Sequence, residues 1–91
     1  MHELGITQRI LEVALERAAA AGATRITEVH LEIGAESDVA PVSLEHYWPE
    51  VSRASPAEGA RLRFAVSDEP FACRVVAIDV PDAPPQQRPE S

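Results

Sequence analysis

Apolar side chains recur at three- and four-residue spacings along the first stretch of the chain, at Leu4, Ile6, Ile10, Leu11, Ala14, Leu15 and Ala18. Gln8, Arg9, Glu12, Glu16 and Arg17 fill the opposite side, so the spacing predicts an amphipathic helix over residues 4–21. Gly22 is a natural stop for it, and Thr7 is an alternative cap that would start the helix later. The period then changes from three-to-four to two. Val29, Leu31 and Ile33 alternate with Glu28, His30 and Glu32, which predicts a strand within residues 24–33 with one core face and one wet face. Gly34 ends that strand, and residues 35–41 read as a turn segment.

A second, shorter helix is predicted over residues 42–53. Pro41 and Ser43 are start signals, and Leu44, Tyr47, Trp48 and Val51 form its apolar stripe, with Trp48 laid against the sheet. Pro49 interrupts this pattern; an interior proline removes a backbone donor, so a kink or break is expected there. Leu62, Phe64 and Val66 give Arg61–Val66 the alternation of a strand with those three inward. Asp68-Glu69-Pro70 marks a turn, and residues 71–80 read as the last strand, with Val76, Ile78 and Val80 the expected inward set. The link from Val66 to Val76 is short enough for a hairpin-like return. The resulting fold class is α+β: a small three-stranded sheet with two helices packed on one face, in the order α-β-α-β-β.

At 91 residues the chain is one domain with one modest core. Residues 82–91 are rich in proline, glutamine and charge and are expected to be a disordered tail, leaving residues 1–81 as the domain. The formal net charge of −7 disfavours a nucleic-acid partner and suits basic partners or cation handling. Cys73 is the single cysteine, so no internal disulfide is possible. No signal-like segment or apolar run long enough for membrane insertion is visible, and a cytoplasmic location is expected.

The chemistry concentrates at the start of the chain, Met1-His2-Glu3. The α-amine of Met1, the backbone amide of His2 and its imidazole can close a five- and a six-membered chelate ring around one ion. Such tetragonal nitrogen sets suit Ni(II) or Cu(II) rather than zinc. Glu3 can add a fourth donor through its amide nitrogen or carboxylate. A frayed terminus without a ligand accounts for the same three residues. Two of Glu28, His30 and Glu32 are close enough to share a metal, although a solvated sheet face explains them equally. His46, Glu45 and Glu50 read as surface groups, and Cys73 as an adventitious thiol or a link between subunits. No nucleophile–base pair, phosphate loop or carboxylate dyad stands out, so the chain does not read as an enzyme.

Met1-His2-Glu3-Leu4, then Gly34, Ser37, Val39 and Pro41, then Ala57-Glu58-Gly59-Ala60-Arg61-Leu62 and the run from Arg74 to Val80 resemble the HypA/HybF family of nickel-insertion proteins for NiFe-hydrogenase maturation. The resemblance covers most of residues 1–80. It implies Ni(II), transiently bound, at Met1, His2 and Glu3. It also implies a NiFe-hydrogenase large subunit as recipient and a HypB-like GTPase as nickel source. The family carries a zinc-ribbon lobe built on two Cys-x-x-Cys pairs before its last strand. Here only Cys73 stands at that place, followed by Arg74-Val75-Val76, so a HypA-like domain without the zinc lobe and without structural zinc is expected. Glu36, where the family usually has an apolar residue, and the Trp48-Pro49 pair also depart from the pattern. Two functions follow: a nickel-binding accessory protein, or a metal-free docking or structural module for a hydrogenase or its maturation partners.

Overall fold

The computed structural model describes residues 3–81. The Met1-His2 pair and the proline-rich stretch 82–91 lie outside the described residues. The elements are α1 (Glu3–Ala20), β1 (Glu28–Ile33), α2 (Pro41–Val51), β2 (Arg61–Val66) and β3 (Cys73–Asp79), in the expected order.

Helix α1 buries Thr7, Ile10, Ala14 and Ala18 as one ridge. Thr7 is therefore interior to the helix and not its cap. Its hydroxyl donates to the Glu3 carbonyl at 2.6 Å, so it enters the core fully hydrogen-bonded. Leu4, expected on this ridge, is exposed instead. The helix ends in a Schellman arrangement, with Ala23 N–H donating to Ala18 C=O and Gly22 N–H to Ala19 C=O. Gly22 adopts φ +72°, which a side chain would resist.

The sheet order is β2-β1-β3, so β1 is central. β2 pairs with β1 in parallel, and α2 lies in the crossover between them. β3 returns antiparallel on the other side of β1, which corrects the hairpin-like link expected between the last two strands. Residues 67–72 pass over the end of β1 instead. Gly34 N–H donates to Ala72 C=O at 2.9 Å and Glu36 N–H to Pro70 C=O at 2.7 Å. Gly34 permits the crossing, because a Cβ there would overlap the carbonyls of Glu69 and Pro70.

The core gathers Val29, Leu31 and Ile33 of β1 with Ile10, Ala14 and Ala18 of α1 and Leu44 and Trp48 of α2. β3 contributes Val75, with Ile78 packed at the margin, in place of the expected Val76, Ile78 and Val80. The cause is a register shift: Leu31 lies opposite Val75 and His30 opposite Ala77, so Val76 is the extra residue of a bulge. A bulge reverses the inside–outside parity, which lets residues three apart face the same way. Arg17 of α1 reaches this point and donates to the carbonyls of Val76 at 3.2 Å and Val75 at 3.5 Å. Val66, expected inward, is 83% exposed at the end of the edge strand β2.

Helix α2 continues through Pro49 to Val51 without the expected break. Pro49 is solvent-exposed, and the carbonyl of Glu45, which loses its helical donor to the proline ring, belongs to an exposed residue. Trp48 is 4% exposed, and its indole N–H donates to Ala60 C=O at 3.1 Å, tying α2 to the entry of β2. Ser52, also buried, donates its hydroxyl to Trp48 C=O at 2.7 Å.

Replacing Trp48 with alanine removes the largest core side chain and leaves Ala60 C=O unpaired; the expected loss is about 3–5 kcal/mol, read as a lower denaturation midpoint. Gly34→Ala should destabilise by about 1–3 kcal/mol or more, because the added methyl group meets backbone. Equal midpoints for Gly34→Ala and the native chain would show that the crossing relaxes freely.

Candidate functional site

Of the three residues expected to form the terminal chelate, Glu3 is described, whereas Met1 and His2 lie outside the described residues. Glu3 is the first residue of α1 and is half-buried. The first N–H groups of a helix have no intrahelical acceptor, so a backbone amide here is not committed to a helical bond. Beside this first turn, α1 and α2 enclose an open groove of about 480 Å³ lined by Leu4, Gln8, Leu11, Glu12, Glu50 and Val51. The exposed Leu4 lies on this groove, beside Leu11, Val51 and two carboxylates. Glu12 also accepts from Arg9 at 3.1 Å.

The outer face of the sheet carries the second group. Val29, Leu31 and Ile33 turn inward, so Glu28, His30 and Glu32 all stand on this face. The structure nevertheless divides them. Glu32 is held by Arg74 at 3.0 Å, and Arg74 also donates to Glu69 at 3.2 Å. These two carboxylates, by hydrogen bond and charge, raise the pKa of the Arg74 guanidinium. Glu28 and His30 are instead joined by Asp79 of β3, which lies opposite Glu28 in the register. His30 Nε2 lies 3.1 Å from Asp79 Oδ2 and 3.7 Å from Glu28 Oε1. The other carboxylate oxygen of Glu28 accepts from Arg63 of β2 at 3.1 Å, and this bond raises the Arg63 pKa.

Asp79 and Arg63 escaped sequence reasoning. The pattern places each on its strand, but only the pairing of β3 with β1, read through the bulge, brings Asp79 to Glu28. The signal that existed was the run of charges at alternate positions, Glu28, His30 and Glu32 against Arg61 and Arg63.

His46 is exposed on α2 and meets the Tyr47 ring edge-on, with ring centres 4.9 Å apart. Cys73 is a half-buried free thiol opposite Ile33, and burial pushes its pKa up, which disfavours the thiolate that metals bind. Among the described residues, no helix is long and apolar enough to cross a membrane.

Comparison with known proteins agrees with this architecture. The family model described as hydrogenase/urease nickel incorporation, metallochaperone, HypA matches residues 1–87. The hydrogenase maturation factor HypA of Escherichia coli K12 is 47% identical over 62 residues, covering 68% of this chain and 53% of that protein. The HypA of a Roseiflexus species (strain RS-1) is 44% identical over 62 residues, covering 68% and 50%. The chain thus spans about half the length of the curated relatives it matches. The solution structure of the Ni metallochaperone HypA from Helicobacter pylori superposes with a TM-score of 0.76 at 12% identity, covering 88% of this chain and 97% of that one. At that identity the likeness shows the fold. The order of helices and strands, the central β1 and the match from residue 1 onward lead to one assignment: this chain belongs to the HypA family.

Proposed function

We propose that this chain is a metallochaperone-like accessory protein for NiFe-hydrogenase maturation that holds Ni(II) transiently at Met1, His2 and Glu3. The observation that carries this reading is the family match beginning at residue 1, over a Met-His-Glu sequence that leads straight into α1. The relatives' description as nickel-incorporation and hydrogenase maturation proteins supplies the metal and the process.

The physical case rests on the helix start. Ni(II) can displace protons from amide nitrogens when an amine and an imidazole anchor the chelate. The amide of Glu3, the first residue of α1, stands where no helical carbonyl competes for it. The positive end of the α1 dipole opposes a cation there, so the hold on nickel is moderated. A weakly held ion at a chain end passes by ligand exchange to a better site. The proposed recipient is the hydrogenase large subunit, and a HypB-like GTPase is the proposed source. Binding and handing over an ion requires no catalytic step of this chain. The groove along Leu4, Leu11 and Val51, with Glu12 and Glu50, supplies a surface next to the terminus.

The domain is proposed to span residues 1–81 and to need no structural zinc. Its core joins both helices to all three strands, and Cys73 is its single thiol. The circular-dichroism melt should therefore be the same with and without EDTA, and a clear fall in melting temperature on chelation would overturn this.

One equivalent of Ni(II) should bind at neutral pH. Binding weakens as pH falls, because α-amines titrate near about 7.7–8.0 and imidazoles near about 6.5, and both must lose their protons. His2→Ala, or a tag that acylates the Met1 amine, should abolish the site in a calorimetric titration. Unchanged nickel affinity in the tagged chain would place the nickel elsewhere. Absence of nickel binding in the native chain would favour the metal-free docking module.

A further inference from the structure

We propose that Glu28, His30 and Asp79 form a second metal site, on the outer face of the sheet, for a first-row divalent cation such as Zn(II) or Co(II). Its chemistry differs from that of the terminus: one imidazole and two carboxylates, without backbone nitrogen. Imidazole with carboxylate oxygens is a donor set that zinc and its neighbours accept, and three protein ligands leave a position open to water.

The distances fit a single ion. Ligands about 2.0–2.2 Å from a tetrahedral metal stand roughly 3.3–3.6 Å from one another. His30 Nε2 lies 3.1 Å from Asp79 Oδ2 and 3.7 Å from Glu28 Oε1. One donor atom from each of the three residues lies within 4.8 Å of both others, so a small rotation of a carboxylate closes the set. Two carboxylate oxygens therefore converge on the same ring nitrogen, and a cation between them replaces a proton on that nitrogen.

The donors stand on two strands that are paired with each other. Glu28 and His30 are two apart on β1, the central strand, and Asp79 is opposite Glu28 across the antiparallel pair. The Asp79 carbonyl accepts from Thr27 N–H at 2.8 Å and from the Thr27 hydroxyl at 3.1 Å, which fixes the end of β3 against β1. Arg63 holds Glu28 by Oε2 and leaves Oε1 facing His30, the orienting role that a partner behind a metal ligand performs. Two carboxylates against one guanidinium leave a local excess of negative charge. His30 and Glu28 are partly shielded from water, with side chains 35% and 23% exposed, whereas Asp79 at 54% keeps the site accessible.

The test is an NMR titration of the native ¹⁵N-labelled full chain with Co(II) alone, read by paramagnetic broadening of backbone amides. The amides of Glu28, Val29, His30 and Asp79 should broaden in the native chain and in His2→Ala alike, and Zn(II) should reverse the effect by competition. His30→Ala should lose it. Glu28→Gln should weaken binding about tenfold or more. Glu32→Gln removes the same charge from the same face and should stay within about twofold of native. Broadening confined to the first turn of α1, or absent altogether, would overturn the site. Equal weakening by Glu28→Gln and Glu32→Gln would reduce it to diffuse attraction between a cation and an acidic face. The broadening map of the native chain decides the matter even where a variant folds poorly.

Discussion

Strand β1 is hydrogen-bonded along both edges, and the two outer strands take their register from it. A strand paired on both sides cannot slip by one residue without turning its whole apolar set to water. Here Val29, Leu31 and Ile33 are almost wholly buried, so the register is held tightly. The same strand fixes the opposite face at no extra cost. Glu28, His30 and Glu32 are carried outward in a set order, and β2 and β3 bring Arg63, Asp79 and Arg74 to meet them. The polar face contributes little stability, since exposed ion pairs are each worth about 0–1 kcal/mol. What it gains from the strand is position.

Much of this was legible from the spacing of apolar residues. Both helices, all three strands and their order follow from periods of about three and a half and two, because burial of one face is the strongest demand on each element. What escaped was what neighbouring elements do to each other. Leu4 fits the α1 stripe by count, but the ridge that reaches the core runs through Thr7. Val66 alternates correctly, yet it lies at the exposed end of the edge strand. The inward set of β3 was misjudged because one extra residue at Val76 reverses parity, and alternation along a single strand contains no trace of it. The grouping of Glu28 and His30 with Asp79 instead of Glu32 has the same origin, for it depends on pairing between strands far apart in the chain. The Met1-His2-Glu3 motif is a proposal from sequence chemistry, and of its three residues Glu3 is described.

Helix α1 begins beside the terminal motif and also supplies one wall of the core. Its first turn is oriented by Thr7, whose buried hydroxyl binds the Glu3 carbonyl. Glu3, the first described residue, is thus tied into the first turn of a helix whose next turns are buried in the core.

The contact of Arg17 with the carbonyls of Val75 and Val76 has a further consequence. An edge strand with bare carbonyls is a template on which another chain can add. On β3 two of those acceptors are already occupied from within the molecule, and the bulge at Val76 bends the run that an incoming strand would have to follow. The residue that joins helix to sheet therefore also occupies acceptors that a strand added along this edge would need.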